Sequence, residues 1–172
     1  MRGMDGFVAL GSNLGDRRGH LAAGLAGLEA AGLTPVAVSS VWETEPVEAP
    51  GSGWFWNMVA KLSTGLGPFE VLERLLRVER GAGRERTVRN GPRTLDLDLL
   101  LLGQLVVRDP RLELPHPRMW QRRFVLEPLA EIEPELINPA TGRTAIKERD
   151  RLRDGPQVRR LGRLASPGEQ PV

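Results

Sequence analysis

Hydrophobic positions along the 172 residues follow two periods, and the switches between them mark out the elements. Phe7-Val8-Ala9-Leu10 reads as a short apolar strand running into a polar turn, Gly11-Ser12-Asn13-Leu14-Gly15-Asp16. A helix is predicted over residues 15–31, with Leu21, Leu25 and Leu28 on its apolar face, Ser12 or Asn13 as its cap and Gly32 as its stop. Val36, Val38 and Val41 predict a strand, and residues 43–53 a Pro/Gly-rich loop. Alternation returns from Phe55 to Leu62. Pro68 then opens a helix over 68–81 whose face carries Phe69, Leu72, Leu75, Leu76 and Val78. A long polar loop, 82–93, precedes a strand from Leu95 to Leu102, which turns at Gly103-Gln104 into Leu105-Val106-Val107. Pro115-His116-Pro117 must be extended or turned. A helical segment around 118–131 ends near Pro134. From Lys147 onward the chain is charged and poor in apolar residues, and its last several residues are expected to be mobile.

Strands and helices alternate irregularly, with a hairpin-like connection after the strand at 95–102. This predicts an α+β fold with a mostly antiparallel sheet. Residues 1–160 are expected to form one domain and 161–172 a flexible tail. The absence of cysteine excludes disulfides, zinc-thiolate sites and thiol catalysis, and fits a cytoplasmic protein. No apolar run approaches the ~20 residues of a membrane span.

Net charge is only +2, but its distribution is uneven. Residues 1–70 carry 4 basic and 7 acidic side chains, against 20 and 15 over 71–172. The excess includes Arg77, Arg80, Arg84, Arg86, Arg89 and Arg93, which precede the most informative block, Gly91-Pro92-Arg93-Thr94-Leu95-Asp96-Leu97-Asp98. Residues two apart on a strand share a face, so Asp96 and Asp98 project together while Leu95, Leu97 and Leu99 fill the other side. Two such like charges repel. A divalent cation removes the conflict, and Mg²⁺ is typically held by one or two carboxylates plus waters and substrate phosphates. Arginine binds phosphate bidentately. The alternative is a half-exposed strand with solvated carboxylates.

Other candidates are weaker alone. No Walker or dinucleotide glycine motif is present, so phosphate charge must be met by arginine and metal. Residues 11–15 read either as a phosphate loop or as a plain strand-to-helix turn. His116 lacks a metal-ligand partner at helical spacing and suits a hydrogen bond to phosphate or ribose, or a structural role. On its strand Phe55 points opposite to Trp54 and Trp56. Asn57 is expected near Phe55 but turned away from it unless the strand bends. An aromatic ring beside an amide suits a flat heterocycle, or core packing.

Taken in order, several blocks resemble one family. They are Val8-Ala9-Leu10-Gly11-Ser12-Asn13-Leu14-Gly15-Asp16, Thr44-Glu45-Pro46, Phe55-Trp56-Asn57, Glu79-Arg80-Gly81-Ala82-Gly83-Arg84, the Gly91–Asp98 block, and Leu114-Pro115-His116-Pro117-Arg118-Met119. Over about residues 7–139 the chain closely resembles 6-hydroxymethyl-7,8-dihydropterin pyrophosphokinase of folate biosynthesis. The resemblance implies a ferredoxin-like α+β fold and transfer of pyrophosphate from ATP to the pterin hydroxymethyl group, releasing AMP. It implies that Asp96 and Asp98 hold a pair of Mg²⁺ ions and, with Arg84 and Arg93, serve catalysis. It places Thr44, Val47, Phe55, Asn57 and Phe124 at the pterin, with Phe55 and Phe124 sandwiching the ring. It places Glu79, Arg84, Arg86, Arg93, Arg111, His116 and Arg122 at the nucleotide. The partners implied are these small molecules, with no nucleic acid or membrane, and a monomer is expected. This chain departs from the family at Asn90, where tryptophan is common, at Pro117, often tyrosine, and at Glu45, often proline.

Two other classes fit parts of the pattern. An Arg-rich α+β domain can bind RNA, although its aromatic and basic residues are not interleaved here. A phosphohydrolase would use the same carboxylate pair.

Overall fold

The computed structural model describes residues 3–46, 53–82 and 94–164. Its elements are β1 (Met4–Ser12), α1 (Arg17–Ala30), β2 (Pro35–Val38), β3 (Val41–Thr44), β4 (Phe55–Thr64), α2 (Pro68–Gly81), β5 (Asp96–Leu102), β6 (Val107–Asp109), β7 (Leu112–Leu114), a 3-10 turn (Met119–Gln121), α3 (Arg123–Ile132), α4 (Ala145–Asp150) and β8 (Val158–Gly162). The main sheet has the order β5-β1-β4-β3-β8, with β2 also paired to β4, and every pairing is antiparallel. The β5-β1-β4-β3 core with its two crossover helices agrees with the expected ferredoxin-like α+β architecture. Strands β6 and β7 form a separate small hairpin. Among the described residues no helix is long and apolar enough to cross a membrane.

The period-two pattern divides the core into two layers. Val8 and Leu10 of β1, Met58, Ala60 and Leu62 of β4, and Leu97 and Leu99 of β5 pack with Leu21 and Leu28 of α1 and with Val71 and Leu75 of α2. On the opposite face Phe7, Val59 and Leu100 meet Met119, Trp120, Val125, Leu126 and Leu129 of the 3-10 turn and α3. Gly24 lets α1 sit close to the sheet: a Cβ there would lie 3.1 and 3.2 Å from methyl groups of Leu95 and Leu10.

Several expected boundaries move. β1 continues through Gly11 and Ser12, so the turn starts later and Asp16, not Ser12 or Asn13, caps α1 by accepting from the Gly19 N–H at 3.0 Å. Gly32 does end the helix, at φ +79°. The valine run at 36–41 is two strands. Between them Ser39 bonds Val59 twice, its N–H donating to the carbonyl and its Oγ accepting from the N–H, both at 2.9 Å. Residues 103–106 form the turn expected at 103–104, extended so that only Val107 of the 105–107 run enters β6. The charged stretch after Lys147 contains β8, which adds to the β3 edge with Thr44 opposite Val158 and Trp42 opposite Arg160. The tail boundary expected at residue 160 falls inside this strand.

Candidate active site

β5 alternates as its sequence predicts. Leu95, Leu97 and Leu99 are buried, while Asp96 and Asp98 are half-buried on the other face. Ladder register then sets what lies beside the carboxylates. Gly11 of β1 pairs with Asp96 on one side and with Asn57 of β4 on the other, and Ala9 pairs likewise with Asp98 and Val59. Directly opposed residues in a ladder project to the same face. Asp96, Gly11 and Asn57 therefore form one row. With neighbouring strands about 4.8 Å apart, the backbones of Asp96 and Asn57 stand about 10 Å from each other. Between them lie only a glycine and, one rung along, an alanine methyl. The sheet thus offers an acidic side and an amide side separated by a low floor.

The amide side is tightly fixed. Asn57 is 8% exposed, and its Nδ2 donates to Oγ1 of the buried Thr44 at 2.6 Å. A Cβ at Gly11 would come within 2.8 Å of Asn57 Oδ1 and 3.9 Å of Phe55 Cδ1. Asn57 and Phe55 therefore lie over the same glycine, which corrects the expectation that Asn57 turns away from Phe55. The physical reason is simple: the two residues are two apart on a regular strand and must share a face. Trp56 belongs to the other side, with its Nε1 donating to Glu43 at 3.1 Å and Arg17 stacked 4.9 Å from its ring centre. Replacing Gly11 by alanine is expected to displace the Asn57 amide and weaken binding on this side about tenfold, by overpacking of 1–3 kcal/mol. Ligand titration with thermal melting checks this; unchanged affinity would mean that the floor is not in contact with ligand.

The acidic side is supported from behind. Among the described residues β5 pairs only with β1 in the main sheet, so its outer edge carries N–H groups that no described strand pairs. Glu79 of α2 meets one of them. The residue is 2% exposed, and its carboxylate accepts from the Leu97 N–H at 2.8 Å, midway between the two aspartates. Thr94 Oγ1 also donates to the Ala82 carbonyl at 3.2 Å, which ties the start of β5 to the end of α2. Glu79→Ala is expected to cost about 2 kcal/mol, as befits a buried hydrogen-bond acceptor, while Glu79→Gln retains most of the stability. Urea unfolding of the two variants makes the comparison, and equal losses would remove this role.

Phe124 and Arg122 stand at the start of α3, with the guanidinium 5.4 Å from the ring centre. Both line a small cavity together with Thr44, so α3 approaches the amide side of the row. His116 follows the cis Leu114–Pro115 peptide. Its N–H donates to the Leu100 carbonyl of β5 at 2.8 Å, and its Nδ1 accepts from the Arg118 N–H at 3.2 Å. Arg111 is placed differently, on the β6–β7 hairpin, stacked 4.4 Å from the Phe69 ring and paired with Asp109 at 3.1 Å. Hydrogen bonding to Arg111 holds the Asp109 carboxyl below its ordinary range. Val47, Arg84, Arg86, Arg93 and Asn90 lie outside the described residues. No cluster of three or more metal-ligating His, Cys, Asp or Glu side chains occurs among the described residues, and water and substrate oxygens would complete the shell of a cation at Asp96 and Asp98. The donor set fits Mg²⁺ on that condition. Gly11 and Ala9 were not singled out from the sequence as a floor, although the alternation Phe7, Ala9, Gly11 carries the signal.

The sequence pattern of the 7,8-dihydro-6-hydroxymethylpterin-pyrophosphokinase (HPPK) family matches residues 7–134, which include both aspartates, Asn57 and Phe124. The chain belongs to the HPPK family. It is 46% identical over 136 residues to the 2-amino-4-hydroxy-6-hydroxymethyldihydropteridine pyrophosphokinase of Bacillus subtilis, covering 78% of this chain and 81% of that relative. It is 44% identical over 134 residues to the Pseudomonas aeruginosa enzyme of the same name, covering 77% and 83%. Among solved structures, the wild-type Plasmodium falciparum HPPK-DHPS with pterin and p-hydroxybenzoate aligns with TM-score 0.70 at 13% identity. That likeness concerns the fold. It covers 88% of this chain and 44% of the solved one, so the HPPK chain described here spans less than half of that bifunctional protein.

Proposed function

We propose that this HPPK binds ATP and 6-hydroxymethyl-7,8-dihydropterin and transfers the β,γ-diphosphoryl group to the pterin hydroxymethyl oxygen, giving AMP and the pterin diphosphate in folate biosynthesis. The observation that carries this reading is the row Asp96–Gly11–Asn57. It puts a carboxylate pair and a buried amide on one face of the sheet, about 10 Å apart by the strand spacing, which suits two substrates that must meet between them.

The pterin belongs on the amide side. Asn57 and Thr44 offer edge hydrogen bonds, while Phe55, Phe124 and Val47 supply apolar area, the two rings sandwiching the heterocycle. The triphosphate belongs on the acidic side. Asp96 and Asp98 would hold a pair of Mg²⁺ ions, which when bound would neutralise phosphate charge and lower the pKa of the attacking hydroxyl. Arg84, Arg86 and Arg93, with Arg122 and His116, meet the remaining phosphate charge by fork-shaped or single hydrogen bonds. Arg111 can join them only by giving up part of its contact with Asp109. Glu79 contributes from beneath by holding β5 in place.

The pterin hydroxyl oxygen forms a bond to the β-phosphorus as the bond to the α,β-bridging oxygen breaks. The hydroxyl proton leaves to solvent, and AMP departs with the bridging oxygen. The residues supply positioning and charge compensation, which dominate phosphoryl-transfer catalysis. The small floor lets the hydroxymethyl arm and the β-phosphate approach above Gly11 without a side chain between them. The enzyme is expected to act as a cytoplasmic monomer. Incubation with Mg²⁺ and ATP, with and without the pterin alcohol, tests the reading: AMP should form only when both substrates are present, and ATP consumption independent of the pterin would instead favour a phosphohydrolase.

A further inference from the structure

The stretch of chain beyond the family match, which ends at residue 134, returns to the amide side of the site. After α4 the backbone passes through residues 151–157 into β8, and two consecutive residues of that passage are held by different elements. The Pro156 carbonyl accepts from Nη1 of Arg123 at 3.0 Å, and Arg123 directly precedes Phe124 in α3. Gln157 forms a reciprocal pair with Glu45. The Glu45 N–H donates to the Gln157 carbonyl and the Gln157 N–H donates to Glu45 Oε2, both at 3.0 Å. Glu45 directly follows Thr44, whose hydroxyl receives the Asn57 amide. Thr44, Phe124, Pro156 and Val158 line one cavity.

Thr44 closes a strand of the sheet, whereas Phe124 opens a helix lying over that sheet. Each position is one residue from a contact to the same short piece of backbone. We propose that residues 156–157 brace the pterin site across its two walls, and that Glu45 and Arg123 are positioning residues that set the distance between Thr44 and Phe124. The brace rests on the pterin assignment made above. It acts through backbone groups of Pro156 and Gln157, so the polar, repeat-free sequence of the segment does not announce it. The carboxylate of Glu45 accepts the Gln157 N–H, and its own backbone N–H completes the pair.

Fluorescence titration with 6-hydroxymethylpterin, in Mg²⁺ and an ATP analogue carrying a methylene between the α and β phosphorus atoms, tests the brace on the full chain. Glu45→Ala, which loses the one bond to the Gln157 N–H, is expected to weaken pterin binding about fivefold, and Arg123→Met, which loses its pair with Glu127 at 3.2 Å as well as the bond to Pro156, by at least as much, each with nucleotide affinity within about twofold. Glu45→Gln, which keeps an acceptor oxygen, should bind as the unmodified protein does. In the double variant the losses should be less than additive, because either change releases the same brace. Glu45 is exposed, so its substitution carries the test alone should Arg123→Met not fold. Asn57→Ala is measured alongside. If it weakens pterin binding while Glu45→Ala does not, or if Glu45→Ala weakens nucleotide and pterin equally, the brace is overturned. If Asn57→Ala itself leaves pterin affinity unchanged, the pterin assignment fails and the brace fails with it.

Discussion

Alanine at Asp96 or at Asp98 is expected to lower AMP formation by about a thousandfold or more while leaving a folded protein, since several kcal/mol of transition-state stabilisation correspond to about three decades in rate. The two side chains share a face and are half-buried, and the intervening Leu97 is buried on the other face. Losing either carboxylate removes the charge proposed to bind the cation, and opens no cavity in either core layer. Melting should therefore change far less than turnover does. Asp96→Asn should be nearly as inactive as the alanine variant, since an amide retains size and loses charge. Steady-state AMP assays with a melting curve for each variant check both statements. Wild-type turnover by a folded Asp96→Ala protein would show that these carboxylates are solvated surface groups.

Asn57→Ala carries the second large effect, on binding. Its side chain is buried, joined to Thr44 at 2.6 Å and set over Gly11, so alanine removes the edge donor and acceptor and frees the Thr44 hydroxyl. A site built to hydrogen-bond a heterocycle loses heavily when one buried partner disappears, because polar atoms of the ligand are then left unpaired. Pterin affinity should fall by about thirtyfold or more, with ATP affinity within about threefold. Calorimetry with each ligand separates the two. Equal losses would mean that Asn57 supports the whole fold and not one side of the site.

The features most legible in the sequence are those where one face is uniformly apolar. Leu95, Leu97 and Leu99 alternating with two aspartates announce both the strand and its acidic face, and Leu72, Leu75 and Val78 announce α2. The register that places Gly11 between Asp96 and Asn57 is a tertiary fact, and no local pattern encodes which strands become neighbours. β8 was hidden for a related reason. Val158-Arg159-Arg160-Leu161-Gly162 is half-buried at most, carries adjacent arginines and lies on the sheet edge, so its stability comes from the exposed backbone of β3 rather than from an apolar stripe. The break at Ser39 was hidden because its side chain replaces a ladder contact to Val59, which a propensity reading does not register. The likeness of Asn57 and Phe55 in direction was available from period two alone. The relation of Glu79 to Leu97, by contrast, spans 18 residues and joins a helix to a sheet edge, so only the assembled fold reveals it.

Diphosphoryl transfer by the proposed route requires above all a cation held by Asp96 and Asp98 against the nucleotide. The most direct test is a crystal structure of the protein with Mn²⁺ and the α,β-methylene analogue of ATP, read by anomalous scattering. The prediction is metal density within coordination distance of both carboxylates and of phosphate oxygens, on the sheet face shared with Gly11 and Asn57. Metal bound only to phosphates, with Asp96 and Asp98 directed to solvent, would contradict it.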